Sequence, residues 1–147
     1  MDFYEQLVQI YLTVFEHCFV LPQPPIKLSE TEEPVDLFLG GTRWEKYPDF
    51  LALDFSKGRI YIIEVTKSLD QGAVRDKVKG YDQRSRDRIR KWIQKSHPGA
   101  LQVCGGGIDL RFYVRNQEVA DKLQRDHQDV EFRSLETVFE AVKDKMP

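Results

Sequence analysis

Two acidic residues, Asp49 and Glu64, lie at two β-like runs of the sequence, in an arrangement that could bind a metal ion. Asp49 precedes the first run, residues 50–55, and Glu64 interrupts the apolar second run, residues 60–65. A carboxylate within a central apolar strand is costly unless it is paired or coordinates a metal. Two converging carboxylates also repel each other unless a cation lies between them. The pair therefore indicates a divalent metal site.

The turn between these runs decides whether both carboxylates reach one face. Residues 56–59 separate two segments rich in β-branched and aromatic residues, which predicts an antiparallel hairpin. With the turn centred in this segment, Asp49 pairs with Thr66 and Leu51 pairs with Glu64. The two acids are then diagonal neighbours on one face, roughly 7–8 Å apart. A slip of one residue would place them on opposite faces.

A metal ion between these carboxylates would suit phosphodiester chemistry. Mg²⁺ takes oxygen ligands, commonly one or two carboxylates together with substrate phosphate, and Mn²⁺ is the other candidate. Such an ion polarises a phosphodiester and lowers the pKa of an attacking water. A nearby lysine could orient that water or offset charge in the transition state. The candidate catalytic lysines are Lys67 and Lys77.

The spacing of these residues resembles a known motif. Pro48-Asp49, fourteen further residues and then Glu64-Val65-Thr66-Lys67 are similar to the signature of the PD-(D/E)xK nuclease superfamily. The resemblance implies an α/β fold with a restriction-endonuclease-like αβββαβ core, in which helices flank a mixed central sheet. It also implies a nuclease that depends on Mg²⁺ or Mn²⁺.

The first predicted helix extends this resemblance. Glu5, with Val8 and Tyr11 at helical spacing, is similar to the first helix of resolvase-like members, whose glutamate reaches the metal. The resemblance therefore implies three metal ligands, Glu5, Asp49 and Glu64. Glu5 also stands three residues after Asp2, which is the spacing of a helix capping box, and that role explains it equally well.

The lysine departs from the family pattern. The superfamily normally places it two residues after the acid, where this chain has Thr66. Lys67 comes one place later, and the alternation of side chains along a strand points it away from Glu64. Either a bulge re-aims Lys67, or Lys77 has taken the role, or catalysis has been lost. The acid-x-Thr form with a helical lysine is similar to the cap-snatching endonuclease domains of segmented negative-strand RNA virus polymerases, which favours Lys77.

A strongly basic segment follows the motif directly. Residues 75–95 carry nine basic and three acidic residues, which gives this segment a charge of +6 and the rest of the chain −8. The segment from Lys77 to Tyr81 resembles the Q-x-x-x-Y element of the superfamily, with Lys77 in place of the glutamine. Such a helix either contacts a phosphate backbone or is simply a solvated face. The predicted substrate-binding residues are Lys79, Tyr81, Arg84 and Arg88.

Hydrophobic periodicity predicts the elements that position these residues. Besides the hairpin, we expect a first helix that begins after Asp2 and ends before Pro22, and a long helix that Pro98 terminates. The remaining predictions are strands at 26–28, 35–39, 108–114 and 130–132 and helices at 71–95, 117–127 and 135–145.

Length and composition set the broad class. The chain has 147 residues and a net charge of −2, so we expect a single domain over residues 1–147. Two cysteines are too few for a disulfide framework or a four-cysteine zinc site. No run of about 18 apolar residues is present, so we expect a soluble cytoplasmic domain without a membrane span. Near-neutrality does not exclude a nucleic-acid partner, because the charge is divided between two opposed regions.

The sequence thus predicts a metal-dependent nuclease that acts on DNA or RNA, with DNA favoured over RNA and an endonuclease favoured over an exonuclease. The alternative is a catalytically silent nuclease-fold module that binds nucleic acid or a protein partner. A homodimer is a further possibility that the sequence leaves open.

Overall fold

The computed structural model describes residues 2–22, 24, 48–67, 71–81, 83–105 and 107–145. The strands predicted at 26–28 and 35–39 lie outside the described residues. Within them the elements are α1 (Phe3–Val14), β1 (Phe19–Pro22), β2 (Phe50–Asp54), β3 (Arg59–Val65), α2 (Gln71–Gly80), α3 (Gln83–Ser96), α4 (Pro98–Val103), β4 (Ile108–Val114), α5 (Gln117–Asp126), β5 (Glu131–Ser134) and α6 (Leu135–Lys145).

The sheet has five strands in the order β1-β2-β3-β4-β5. β1, β2 and β3 are antiparallel, whereas β3, β4 and β5 are parallel. A parallel connection needs a crossover, and the helices between β3 and β4 and between β4 and β5 provide it. The prediction of an α/β fold with a mixed sheet is confirmed for the described residues.

Helices cover both faces of this sheet. One face packs against α2, α3 and α5 through residues such as Val74, Ile89 and Leu123. The other face packs against α1 and α6 through residues such as Val8 and Val138. Alternate residues of β3 therefore serve two different cores, because successive side chains of a strand point to opposite faces. All of the central β-strand positions from Ile60 to Glu64 are buried.

The β2–β3 hairpin is confirmed, but the predicted register is wrong by two residues. Phe50 pairs with Ile63 and Asp54 pairs with Arg59, so the reversal occupies residues 55–58. Asp54 causes this shift, as its carboxylate accepts hydrogen bonds from the Ser56 hydroxyl at 2.6 Å and from a turn amide. A shift of two residues preserves the face of every side chain.

The first helix ends earlier than predicted. α1 ends at Val14, and a strand that the sequence analysis missed, β1, begins at Phe19. His17 adopts φ of 56°, the left-handed conformation that commonly ends a helix and is unusual for residues other than glycine. The predicted capping box is confirmed, because Asp2 accepts from the Glu5 amide at 2.9 Å and Glu5 accepts from the Asp2 amide.

The predicted helix at 71–95 is two helices. α2 ends at Gly80, and α3 begins at Gln83. Glycine is a poor helix former, and the Ser85 hydroxyl donates to the Gly80 carbonyl at 3.0 Å, which offers this carbonyl a partner outside the helix. Pro98 does end α3 as predicted, but it also opens the short helix α4, where proline at the first position loses no hydrogen bond.

A buried arginine in β4 ties the α1–β1 connection to the sheet. Arg111 is 2% exposed, and its guanidinium lies 2.8 Å from carboxylate oxygens of both Glu16 and Glu131. Arg133 contacts the same two carboxylates, at 2.9 and 2.6 Å. The four side chains alternate in sign, so the buried guanidinium of Arg111 has opposite charges as neighbours. The Arg111 guanidinium also stacks 4.2 Å from the centre of the Tyr61 ring.

Arg111→Met tests this network. The two carboxylates would keep Arg133 but lose their charged hydrogen bonds to the buried Arg111, so we expect the free energy of unfolding to fall by about 1.5–3 kcal/mol. Urea denaturation followed by circular dichroism measures the change. Arg59→Met is the matched control, since the Arg59–Asp109 pair is solvent-exposed and should contribute far less. Equal losses in the two variants would contradict a special role for the buried network.

Candidate active site

Asp49 and Glu64 lie together at one end of the β2–β3 hairpin. Extension of the observed register by one residue brings Asp49 opposite Glu64, so the two are direct rather than diagonal neighbours. Directly opposed residues have Cβ atoms roughly 4.5–5.5 Å apart. One oxygen of Asp49 accepts a hydrogen bond from the Val65 amide at 2.8 Å. The Asp49 carboxylate also raises the pKa of the Tyr81 phenol that donates to Glu64, so the two carboxylates lie on the same side of the sheet, as predicted.

Glu64 is a buried carboxylate that accepts a hydrogen bond from a tyrosine. Its side chain is only 4% exposed, and one of its oxygens accepts a hydrogen bond from the Tyr81 hydroxyl. Burial and the adjacent carboxylates of Glu64 and Asp49 raise the pKa of Tyr81 well above its usual value of 10. The phenol is consequently neutral at physiological pH and remains a donor. It can hold Glu64 in one orientation without neutralising its charge.

The break between α2 and α3 places Tyr81 over this carboxylate. The Tyr81 amide donates to the Val78 carbonyl at 3.1 Å, a tighter turn than the α-helix has. The ring enters the core between the sheet and the two helices, where it is 4% exposed. Sequence analysis named Tyr81 as substrate-binding, but a ring this buried cannot stack on a base. Its place in the apolar stripe with Val74 and Val78 already indicated burial.

The two candidate lysines lie on opposite sides of the sheet. The Lys67 ammonium is 3.2 Å from an Asp2 carboxylate oxygen and 5.6 Å from the centre of the Tyr4 ring, on the side of α1. The bulge considered above is not seen, since β3 pairs regularly with β4 as far as Val65. Lys67 therefore follows the strand alternation away from Glu64.

Lys77 belongs to the helix that covers the Glu64 side. It is half-buried on α2, four residues before Tyr81. Val74 lies three residues before Lys77 on α2, so the two are neighbours on the helix surface, and Val74 packs on the core to which Tyr81 belongs. Thr66, two residues after Glu64, is buried, and its amide donates to the Tyr113 carbonyl at 2.9 Å.

Glu5 is not brought to the carboxylate pair. Its side chain caps α1, and α1 packs on the opposite face of the sheet from Tyr81. Within the described ranges, no group of three histidine, cysteine, aspartate or glutamate side chains is placed to hold a metal ion. The three-ligand set of Glu5, Asp49 and Glu64 is thus reduced to a pair in this structure.

The remaining predicted substrate residues lie on the surface of the two helices. Lys79 on α2 and Arg84 on α3 are exposed, and Arg88 is half-buried. These positions are accessible to a large anionic ligand, unlike Tyr81.

Comparisons with protein families, curated proteins and solved structures add no relative: no family model, curated sequence or solved structure matches this chain. Of the helices in the described part of the chain, none combines the length and apolar character needed to span a membrane.

The carboxylate pair has a definite chemical capacity. Each acid has an oxygen engaged by a protein donor, Asp49 by an amide and Glu64 by a phenol. Two adjacent carboxylates can share a divalent cation, because Mg²⁺ commonly takes one or two carboxylates as ligands.

Tyr81→Phe tests the hydrogen bond to Glu64. The buried carboxylate would lose a donor, so we expect the free energy of unfolding to fall by about 1–3 kcal/mol at pH 7. Thermal or urea unfolding measures it. Tyr11→Phe is the control, because that hydroxyl has no hydrogen-bond partner among the described residues, and its loss should change stability by less than about 0.5 kcal/mol.

The raised pKa of Tyr81 also predicts a pH effect. The unfolded chain ionises this phenol near pH 10, whereas the folded protein keeps the proton, so the folded state binds more protons above that pH. Wild-type stability should therefore decline as pH rises above about 10. We expect a shallower decline in Tyr81→Phe, measured by urea unfolding over that range. Parallel pH curves for the two proteins would contradict the assignment.

Proposed function

We propose that this chain is a metal-dependent nuclease that hydrolyses phosphodiester bonds of nucleic acid, with DNA favoured over RNA. The observation that carries the proposal is the carboxylate pair, Asp49 and a buried Glu64, side by side at the end of a hairpin. The hairpin register, extended by one pair, supports this position, and the hydrogen bond from Tyr81 to Glu64 supports a fixed carboxylate. The order of elements, one helix and three strands before the crossover helices, is compatible with the superfamily that the motif resembles.

Asp49 and Glu64 would hold Mg²⁺ or Mn²⁺, since both present carboxylate oxygens from adjacent strands. Two carboxylates suffice for such a site, because Mg²⁺ usually keeps several water ligands and takes others from substrate phosphate. When bound, the ion would polarise the phosphodiester and lower the pKa of water. Glu5, whose carboxylate caps α1, is not needed for this set.

Lys77 is the lysine that we assign to the reaction. It lies on the helix that delivers Tyr81 to Glu64, whereas Lys67 lies beside Asp2. An ammonium group near the pair would offset charge that develops on the phosphate and would help to orient the attacking water. Tyr81 acts as a positioning residue, because it holds Glu64 and does not need to touch the substrate.

A catalytically silent module is the second candidate. Thr66 stands in the lysine position, buried with its amide bonded to β4, and Lys67 is engaged with α1. A fold that had lost its lysine could still bind nucleic acid through the basic helices.

Asp49→Asn and Glu64→Gln test the nuclease. Each retains shape and hydrogen-bonding capacity but removes a negative charge, so we expect cleavage of a DNA and RNA panel with Mg²⁺ or Mn²⁺ to fall below detection. The matched control is Asp121→Asn, which should retain full activity. Asp121 is an exposed residue of α5 whose carboxylate accepts a hydrogen bond from Gln117. Cleavage by either site variant, with circular dichroism confirming the fold, would contradict the assignment.

Lys77→Ala and Lys67→Ala separate the two lysines. We expect Lys77→Ala to lower kcat about 10²–10³-fold, the range typical of a lost electrostatic contact in the transition state. Lys67→Ala should retain kcat, because its ammonium contacts the first helix. Single-turnover cleavage measures both. The opposite ranking would move the catalytic role to Lys67.

A further inference from the structure

The helix α3 carries its positive charges in a row. Arg84, Arg88, Lys91 and Lys95 follow one another at intervals of four, three and four residues, which places them on one side of an α-helix. The opposite side carries the buried residues Ser85, Ile89 and Ile93. The row spans eleven residue steps, or about 16 Å at 1.5 Å per residue. We call these four side chains the α3 cation row.

Helix stability does not explain this row. Like charges four residues apart destabilise a helix, and α3 contains three such pairs, Arg84–Arg88, Arg86–Arg90 and Lys91–Lys95. Its one acid, Asp87, accepts a hydrogen bond from Gln83. Within the described residues, no ion pair involves Arg84, Lys91 or Lys95. An anionic ligand would relieve the repulsion.

The basic residues outside the row differ from it. Arg86 is half-buried and donates to the Ile108 carbonyl at 3.1 Å, so it ties α3 to the start of β4. Arg90 is exposed but lies on the other flank of the helix. The cation row therefore consists of a single line of side chains. Arg90, a basic residue of the same helix outside that line, serves as a control for substitutions within it.

An aromatic side chain borders the cation row. Trp92 is four residues after Arg88 and three before Lys95, so it neighbours both on the helix surface. Its ring is half-buried and meets the His97 ring edge-on, with centroids 5.4 Å apart. Cations that follow a backbone beside an aromatic ring are the combination that binds single strands, because only an unpaired base has a free face to stack.

We propose that the α3 cation row binds the phosphates of a single-stranded nucleic acid, with a base against Trp92. The proposal rests on the proposed function only in taking nucleic acid as the substrate, and it specifies the strand form. The row binds up to four successive phosphates, and the bases lie toward the helix flank that carries Trp92. Binding does not depend on the Asp49–Glu64 pair.

The test measures binding without divalent metal, in the presence of a chelator, so that cleavage plays no part. The probe is a fluorescently labelled mixed-sequence oligonucleotide, either single or annealed to its complement, and anisotropy gives the affinity. Four contacts predict that single-strand binding weakens about 50-fold between 50 and 200 mM salt. The single strand should bind more tightly than the duplex at every salt concentration.

Lys91→Gln and Arg84→Gln should each make the slope of log affinity against log salt shallower by about 0.7. Arg90→Gln, the matched control, should leave it unchanged. In a Trp44→Phe background Trp92 is the sole tryptophan, and its fluorescence should be quenched by the single strand. If Trp44→Phe does not fold, the variant Trp92→Leu is tested instead. Its affinity for the labelled single strand, measured by anisotropy, should be weaker than that of the wild type.

Three results would overturn the proposal. These are a duplex bound as tightly as the single strand, an Arg90→Gln effect equal to that of Lys91→Gln, and an absence of binding at 50 mM salt. Failure of the nuclease would be seen separately, as binding by the cation row without cleavage in metal. Cleavage that is retained in a variant without binding by the α3 cation row would refute the binding role of the row and leave the proposed nuclease standing.

Discussion

The burial of Glu64 beside Asp49 is the constraint on which the described structure around the site depends. A charged carboxylate at 4% exposure needs polar partners, and Tyr81 provides one from the end of α2. Tyr81 lies between Gly80, where α2 ends, and Gln83, where α3 begins, so the residue that donates to Glu64 stands at the break between the two basic helices. Its ring also belongs to the core beneath both helices, so packing and the hydrogen bond together hold it against the hairpin.

The two faces of the sheet handle buried charge in different ways. On the α1 and α6 side, Arg111 and Arg133 alternate with Glu16 and Glu131, and the four charges balance. On the α2 and α3 side, the carboxylates of Asp49 and Glu64 lie close together, and they accept hydrogen bonds from the Val65 amide and the Tyr81 hydroxyl. Two adjacent carboxylates present oxygen ligands of the kind that Mg²⁺ takes. This is why we propose the chemistry at Asp49 and Glu64.

Local pattern was sufficient for most of the elements. The apolar runs predicted the β2–β3 hairpin and β4, and helical spacing predicted α5 and α6, because each of these segments buries one regular face. The shared face of Asp49 and Glu64 was predictable too, since only the parity of the register matters for it. The register itself was not, because Asp54 fixes the turn through side-chain hydrogen bonds that spacing alone does not reveal.

The features that sequence analysis missed arise from long-range contacts or from single backbone angles. Arg111 meets Glu16 across ninety-five positions of the chain, and nothing near either residue indicates the other. The connection between α1 and β1 turns at the left-handed backbone of His17, a conformation that is uncommon outside glycine and that spacing does not predict. Glu5 fitted two roles by spacing, and the structure assigns its side chain to the cap of α1. The break in the long helix was missed because Gly80 alone does not predict it.

Calorimetric titration with Mn²⁺ tests the central claim most directly, because it asks whether the carboxylate pair is a cation site before any substrate is considered. The wild-type chain should bind Mn²⁺, and Asp49→Asn and Glu64→Gln should each abolish the binding while Asp121→Asn retains it. Absence of Mn²⁺ binding to the wild type, or equal binding to the wild type and Asp49→Asn, would contradict the account.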